Sequence, residues 1–309
     1  MIHVIDVQSR ATIQDLGRFG LRRFGISQCG AMDKLALRAG NILLGNAEDA
    51  PAIEVPLGGI TLQFQQDMNF CVTGAFYEMT LDDKPVFAYC RYQARAGQVL
   101  KMIRAKIGMY GYLCVQGGFT LLQELNSCST DLRAQIGGVE GRGLQAGDQL
   151  QTVNDPILRS EIGIAPIPLK HTIHALPSSE YQAFKRKSQY YWWRSKWTLQ
   201  SSSDRMGYRF QGQKLELKQP LEMLSHAIQF GSVQVPPSGQ PIILMADAQT
   251  TGGYPKIANV IDADLGALAQ VRLGSTIQFE AVSLEQAAKL RRKNEIYLDQ
   301  IRRIVDEKN

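Results

Sequence analysis

The sequence predicts a mainly β chain with a few helices, an α+β class, arranged as two barrel-like lobes followed by a C-terminal helix. Three observations carry that prediction. Polar and apolar residues alternate between frequent turn signals over most of the chain, the period of half-buried strands. A break containing three prolines, "NDPILRSEIGIAPIPLK" at 154–170, interrupts the alternation near its middle. Residues 283–309 abandon alternation for apolar residues at mixed three- and four-residue steps among charges. The domain boundaries expected from these signals are 1–155, 156–282 and 283–309.

Within the first lobe, "MIHVIDV", "ITLQFQ", "NFCVTG", "YEMTLDD", "VLKMIRA" and "YGYLCVQGG" all read as short strands. One stretch, Met32–Gly45, has helical spacing, with Leu35, Ala39, Ile42 and Leu43 on one face. Asp33 stands near its start and Gly45 at its end, as an N-terminal acid and a C-terminal glycine should. After the break, "SSEYQAFKRK" predicts a short helix capped by Ser178 or Ser179. Strands resume at "YRFQGQKLELK" and continue through "AIQFGSVQVPPSGQPIILM". Three segments, 95–102, 145–152 and 272–279, share one shape, a glycine turn feeding a strand. Reuse of tight glycine turns accounts for that echo better than duplication does.

At 309 residues and 44% hydrophobic, the chain is long enough for two cores. A net charge of +5 spread along the sequence attracts small anions but is no nucleic-acid footprint. Cys29, Cys71, Cys90, Cys114 and Cys128 form no CxxC pair, and four of the five lie beside apolar or glycine residues, as small buried side chains do. The start "MIHVIDVQSRATIQD" lacks the pattern of a signal peptide, and nowhere do 18 apolar residues run together. A cytoplasmic chain without a membrane span is expected.

Three segments crowd polar residues with glycines. The first, Thr12–Asp33, spaces Asp15, Arg18, Arg22, Arg23 and Asp33 among glycines, a composition suited to binding anions. The second, Ser201–Phe210, packs Ser203, Asp204, Arg205 and Tyr208 together. The third, "DAQTTGGYPKIANV", gathers Asp247, Gln249, Thr250, Thr251, Gly252, Gly253, Tyr254 and Lys256 between two apolar runs, with Gln240 just ahead of the first run. A connector needs far fewer donors than this, which points to a ligand loop. A fourth glycine-rich run, Cys128–Asp148, ranks below these. His3, His171, His174 and His226 form no metal-ligand spacing, so no protein-held zinc is expected. No P-loop and no GxSxG elbow occur. The residues alone support an anion-binding or acid/base site of unspecified chemistry.

The motifs "TIQDLGRFG", "GAMD", "LALRAGNILLGN", "STDLRA", "GGVEGR", "SDRMGYR", "VQVPPSGQPIILMADAQTTGGYPKIA" and "ADLGALAQVRLG" together resemble those of the allophanate hydrolase subunit 2 family. This is also called the biotin-dependent carboxyltransferase-domain family. It includes the C component of 5-oxoprolinase and the regulator KipA. The resemblance runs from Thr12 to Phe279; Cys29 stands where many relatives have Ser. It implies two cyclophilin-like β-barrel lobes with a binding cleft between them. It implies a subunit-1-type partner, the B component of 5-oxoprolinase or a KipI-like chain, and in 5-oxoprolinase a further A component. The implied activity is ATP-dependent opening of 5-oxoproline to glutamate, with ATP and Mg²⁺ as cofactors of the assembled complex and no covalent biotin on this chain. Arg18, Arg205 and Lys256 would then supply cations, and Asp15, Asp204 and Asp247 would hold Mg²⁺ or orient water. Two alternatives stay open: a carboxyltransferase component of a urea carboxylase, and a KipA-like regulator without catalysis.

Overall fold

The computed structural model describes residues 1–153, 155–158 and 161–308. The chain divides into two compact units. The first holds 1–18, 29–168 and 294–309; the second holds 19–28 and 169–293. Both units are therefore discontinuous in sequence. The predicted linker at 154–170 includes Asn154, Arg159 and Ser160, which lie outside the described residues. Its described parts up to 168 are tied to the first unit's sheet, where the Leu158 N–H donates to Asn69 at 2.8 Å and the Ile164 N–H to the Tyr89 carbonyl at 2.9 Å.

The first unit is built on a branched nine-stranded sheet among the described residues. Its spine is the antiparallel pair Met68–Leu81 and Val99–Val115. Four of the predicted short strands are halves of these two long ones. Gly74 and Gly108 adopt positive φ, 88° and 81°, as glycine tolerates in a turn. Here such glycines accompany bulges, since the register shifts between Gly74 and Phe76 and again between Glu78 and Met79. The bends carry apolar residues of both strands into one core with Ile13, Ile53, Leu62 and Phe64.

The helix Lys34–Leu43 begins as its sequence predicts, with the Asp33 carboxylate accepting the Ala36 N–H at 3.1 Å. The tail helix, Leu284–Lys308, buries Leu298, Ile301 and Val305, and Arg38 grips Glu295 at 2.7 and 2.9 Å. Asn309, the last residue predicted helical, lies outside the described residues.

The second unit is a closed seven-stranded barrel. Its wall includes Thr172–Pro177, Lys256–Val260, Ser232–Gln234 and Thr276–Ala281. Two helices missed by sequence pattern pack with it. Arg186–Arg194 lays Trp192 flat on Phe279, ring centroids 4.2 Å apart, and Asp262–Ala269 buries Asp264 and Leu268. Both are short, which weakens a helical period. The helix predicted near Ser178 is only a 3₁₀ turn, Tyr181–Ala183, and no side chain caps it.

The three echoed turns have a shared physical cause. Gly97, Gly147 and Gly274 all have positive φ, 89°, 96° and 81°, with open space where a side chain would stand. Conformation rather than packing demands glycine there. Gly111 is the opposite case, since a Cβ would run into the buried Tyr77 ring, whose hydroxyl donates to the Val55 carbonyl at 2.5 Å. Gly111→Ala should destabilise the chain by about 1–3 kcal/mol, read as a lower Tm in thermal unfolding.

Candidate functional site

In the first unit, the predicted site residues are held by their neighbours. The Asp15 carboxylate accepts the Ser127 hydroxyl at 2.7 Å, the Ser129 hydroxyl at 2.5 Å, the Cys128 N–H at 2.6 Å and the Gly17 N–H at 2.7 Å. Those donors saturate it and pin residues 15–17 to 127–129. Arg18 is fully buried and donates to the Glu124 and Ser129 carbonyls at 3.2 and 2.5 Å, while Nη1 finds no partner among the described residues. Asp33 caps its helix, and its own N–H donates to the Tyr112 hydroxyl at 2.7 Å. Tyr112 donates in turn to Glu54 at 2.8 Å. Burial, with the nearby Glu54 and Asp33 carboxylates, pushes its phenol well above the ordinary value, so it stays a neutral donor.

The second unit joins two of the sequence motifs. Arg205 does not pair with Asp204 beside it. It grips Asp247 through two parallel bonds of 2.8 and 2.7 Å, and the Asp247 N–H donates back to the Arg205 carbonyl at 2.9 Å. Asp204 instead turns its own loop, accepting the Met206 and Gly207 N–H groups at 2.9 and 3.1 Å. Ser203 accepts the Arg209 N–H at 2.9 Å. Tyr208 is fully buried with its hydroxyl on the Ala269 carbonyl at 2.9 Å. Gln240 brackets the Gly212 backbone at 2.9 and 3.3 Å. Each of these polar groups serves the fold locally.

The glycine-rich loop turns back on residues 224–228. Thr251–Gly252 pairs with His226–Ala227, and Arg22 donates to the Ile228 and Gln249 carbonyls at 2.6 and 3.1 Å. The Thr250 carbonyl accepts the Ile228 N–H at 3.2 Å, while Tyr254 is 47% exposed. The place of a Gly252 side chain is filled, because a Cβ there would lie 2.6 Å from Gln234 Nε2 and 3.0 Å from Ile228. Gly253 has more room, with the Met223 carbonyl 3.3 Å from a Cβ. These glycines permit close packing of the loop on its neighbour.

Lys256 is the charged centre of this region, only 8% exposed. A register shift between Val233 and Gln234 sets Lys256 opposite Gln234 and leaves Ile257 as the extra residue. Its Nζ lies 3.0 Å from Glu180 Oε2 and also contacts His226 Nε2. The same Glu180 oxygen accepts the Lys256 backbone N–H at 3.1 Å, and Ser178 donates to the Lys256 carbonyl. The segment predicted to cap a helix thus wraps this lysine. Burial pushes the Glu180 carboxyl up, but bonds from Ser179 and Lys256 outweigh it and hold the group below its ordinary value. Glu180 and His226 carried no motif of their own, and Gln234 lay in a quoted motif without being singled out; the signal that could have found His226 was its place in a strand-like run before the glycine loop.

Each of the three carboxylates assigned to Mg²⁺ is engaged within its own unit. Asp15 is saturated, Asp204 closes a turn and Asp247 is gripped by Arg205. No group of three potential metal-ligating side chains forms among the described residues. No described helix is long and apolar enough to cross a membrane.

Two measurements check this geometry. A double-mutant cycle on Arg205→Ala and Asp247→Ala should give a coupling of about 1–3 kcal/mol in chemical denaturation. Because the folded Glu180 carboxyl is depressed, its stabilisation is present above the unfolded value of about 4.3 and is lost as pH falls through the folded one. Acid unfolding of Glu180→Gln should therefore show a shallower loss of stability below about pH 4 than wild type.

The family model described as carboxyltransferase domain, subdomain A and B, matches residues 24–281. The chain is 90% identical over 309 residues to the 5-oxoprolinase C component of Haemophilus influenzae, covering all of both. It is 47% identical over 307 residues to the Escherichia coli protein of the same name, covering 97% of each. The crystal structure of the K. lactis urea amidolyase matches 97% of this chain with a TM-score of 0.90 at 26% identity, over 20% of that larger chain. On these matches, the chain belongs to the carboxyltransferase domain family, with both subdomains A and B.

Proposed function

We propose that this chain is the C component of a multi-subunit 5-oxoprolinase, opening 5-oxoproline to L-glutamate with ATP hydrolysis. The observation that carries the reading is the end-to-end correspondence with the Haemophilus influenzae 5-oxoprolinase C component, 90% identical with nothing left over on either side. Its partners in this reading are a subunit-1-type chain, the B component, and the A component. Opening an unstrained lactam at neutral pH is uphill, and coupling to ATP supplies the drive. The carboxylates Asp15, Asp204 and Asp247 are each engaged within the fold and do not fit a Mg²⁺ site as they stand. What the chain offers the substrate is a buried, compensated lysine beside a rigid polar loop, suited to orienting a small polar molecule.

The urea carboxylase reading draws on the shared fold with urea amidolyase, but that likeness spans a fifth of a much larger enzyme. Co-expression separates the readings. Purified alone, the chain should show little 5-oxoproline-dependent ATPase, and with the A and B components it should support glutamate release. Lys256→Ala or Asp247→Ala should reduce that release by about tenfold or more. Robust activity of the chain alone would contradict the multi-subunit reading. Urea-dependent activity in place of 5-oxoproline-dependent activity would select the alternative.

A further inference from the structure

We infer that the second unit carries a carbonyl-binding site for a lactam, in which Lys256 and Gln234 donate to one oxygen while Glu180 and His226 act as positioning residues. The choice of lactam rests on the 5-oxoprolinase reading; the donor geometry does not.

Gln234 supplies the first observation. Its side chain is 3% exposed, yet Nε2 has no hydrogen-bond partner among the described residues. A buried amide donor left unpaired is costly, and native proteins keep few of them. This one lies over Gly252, the cross-strand partner of His226, and on the strand position opposite Lys256. The four residues therefore form one closed cluster.

Lysine supplies the second. An ammonium group has three N–H donors and no acceptor. At Lys256 one faces Glu180 Oε2 at 3.0 Å and another faces His226 Nε2. The tautomer of His226 follows from its other nitrogen, since Nδ1 lies 3.2 Å from the Leu224 carbonyl, which can only accept. Nδ1 therefore carries the proton and the Nε2 lone pair receives Lys256. The third ammonium N–H has no partner among the described residues, and Gln234 is the cross-strand partner of Lys256.

Charge selects the ligand class. Glu180 already neutralises Lys256, and Gln234 is neutral, so the cluster has little net attraction for a phosphate dianion. A second carboxylate on Lys256 would meet repulsion from Glu180. A neutral carbonyl oxygen meets neither penalty, and paired donors stabilise the negative charge that grows on it when the carbonyl is attacked.

The test uses the full-length chain labelled with nitrogen-15. The Gln234 side-chain amide resonance, identified by its loss in Gln234→Leu, is followed during titration. It should shift with 5-oxoproline and with 2-pyrrolidinone, which lacks the carboxylate. It should not shift with proline, which lacks the lactam carbonyl, or with inorganic phosphate. Gln234→Leu should raise Tm, because it removes an unpaired donor, and abolish lactam binding. His226→Gln, which offers an accepting oxygen, should retain binding; His226→Phe, which fills the space without an acceptor, should weaken it by about tenfold. A lower Tm for Gln234→Leu would make Gln234 structural and overturn the site, as would a response to proline or phosphate without one to 2-pyrrolidinone. An active complex whose Gln234 amide ignores every lactam overturns the site alone. An inactive complex whose amide still answers 2-pyrrolidinone supports the site and removes the functional reading.

Discussion

A lysine buried on a barrel strand must be compensated, and the second unit is organised around that requirement at Lys256. An uncompensated ammonium at 8% exposure would lose its charge or the fold would open. Glu180 answers through both the side chain and the backbone of the same residue. The bulge before Gln234 aims the lysine, Ser178 holds its carbonyl, and the loop at 251–252 brings His226 against it. A position supported from so many elements is rigid, and rigidity is what a donor needs if it is to favour one ligand geometry.

Much of the architecture is legible in the sequence because its signals are local. Alternation marks the strands, Asp33 marks the start of a helix, and the charged tail declares its own period. The errors have local causes too. Glycine at positive φ means a turn or a bulge, and sequence alone cannot separate them, so the strands Met68–Leu81 and Val99–Val115 each read as two. Short helices such as Arg186–Arg194 and Asp262–Ala269 give too few turns for a period to emerge.

The site is legible in part. Density of polar residues points to the loop from Asp247 to Lys256, and a separate motif points to Arg205, but nothing in the sequence says that Arg205 and Asp247 grip each other across 42 positions. Partners at that separation are set by barrel closure. The same holds for Glu180 and His226, which look unremarkable in their own segments. Conversely, Tyr208, Gln240 and Asp204 carry polar groups that the fold consumes in its own turns and core. Hydrogen-bonding potential is visible in a sequence; whether the fold has already used it is not.

That distinction separates the two classes of polar residue in this chain. Asp15 is satisfied on every side and acts as a clamp, whereas Gln234 is buried with a donor to spare. The central claim, that the spare donors of Gln234 and Lys256 receive a lactam carbonyl, is tested most directly by a crystal structure of the chain in complex with 5-oxoproline. The lactam oxygen should lie within hydrogen-bonding reach of both Lys256 Nζ and Gln234 Nε2, with the carboxylate directed away from Glu180. A lactam bound elsewhere, with Gln234 Nε2 still unpartnered, would contradict it.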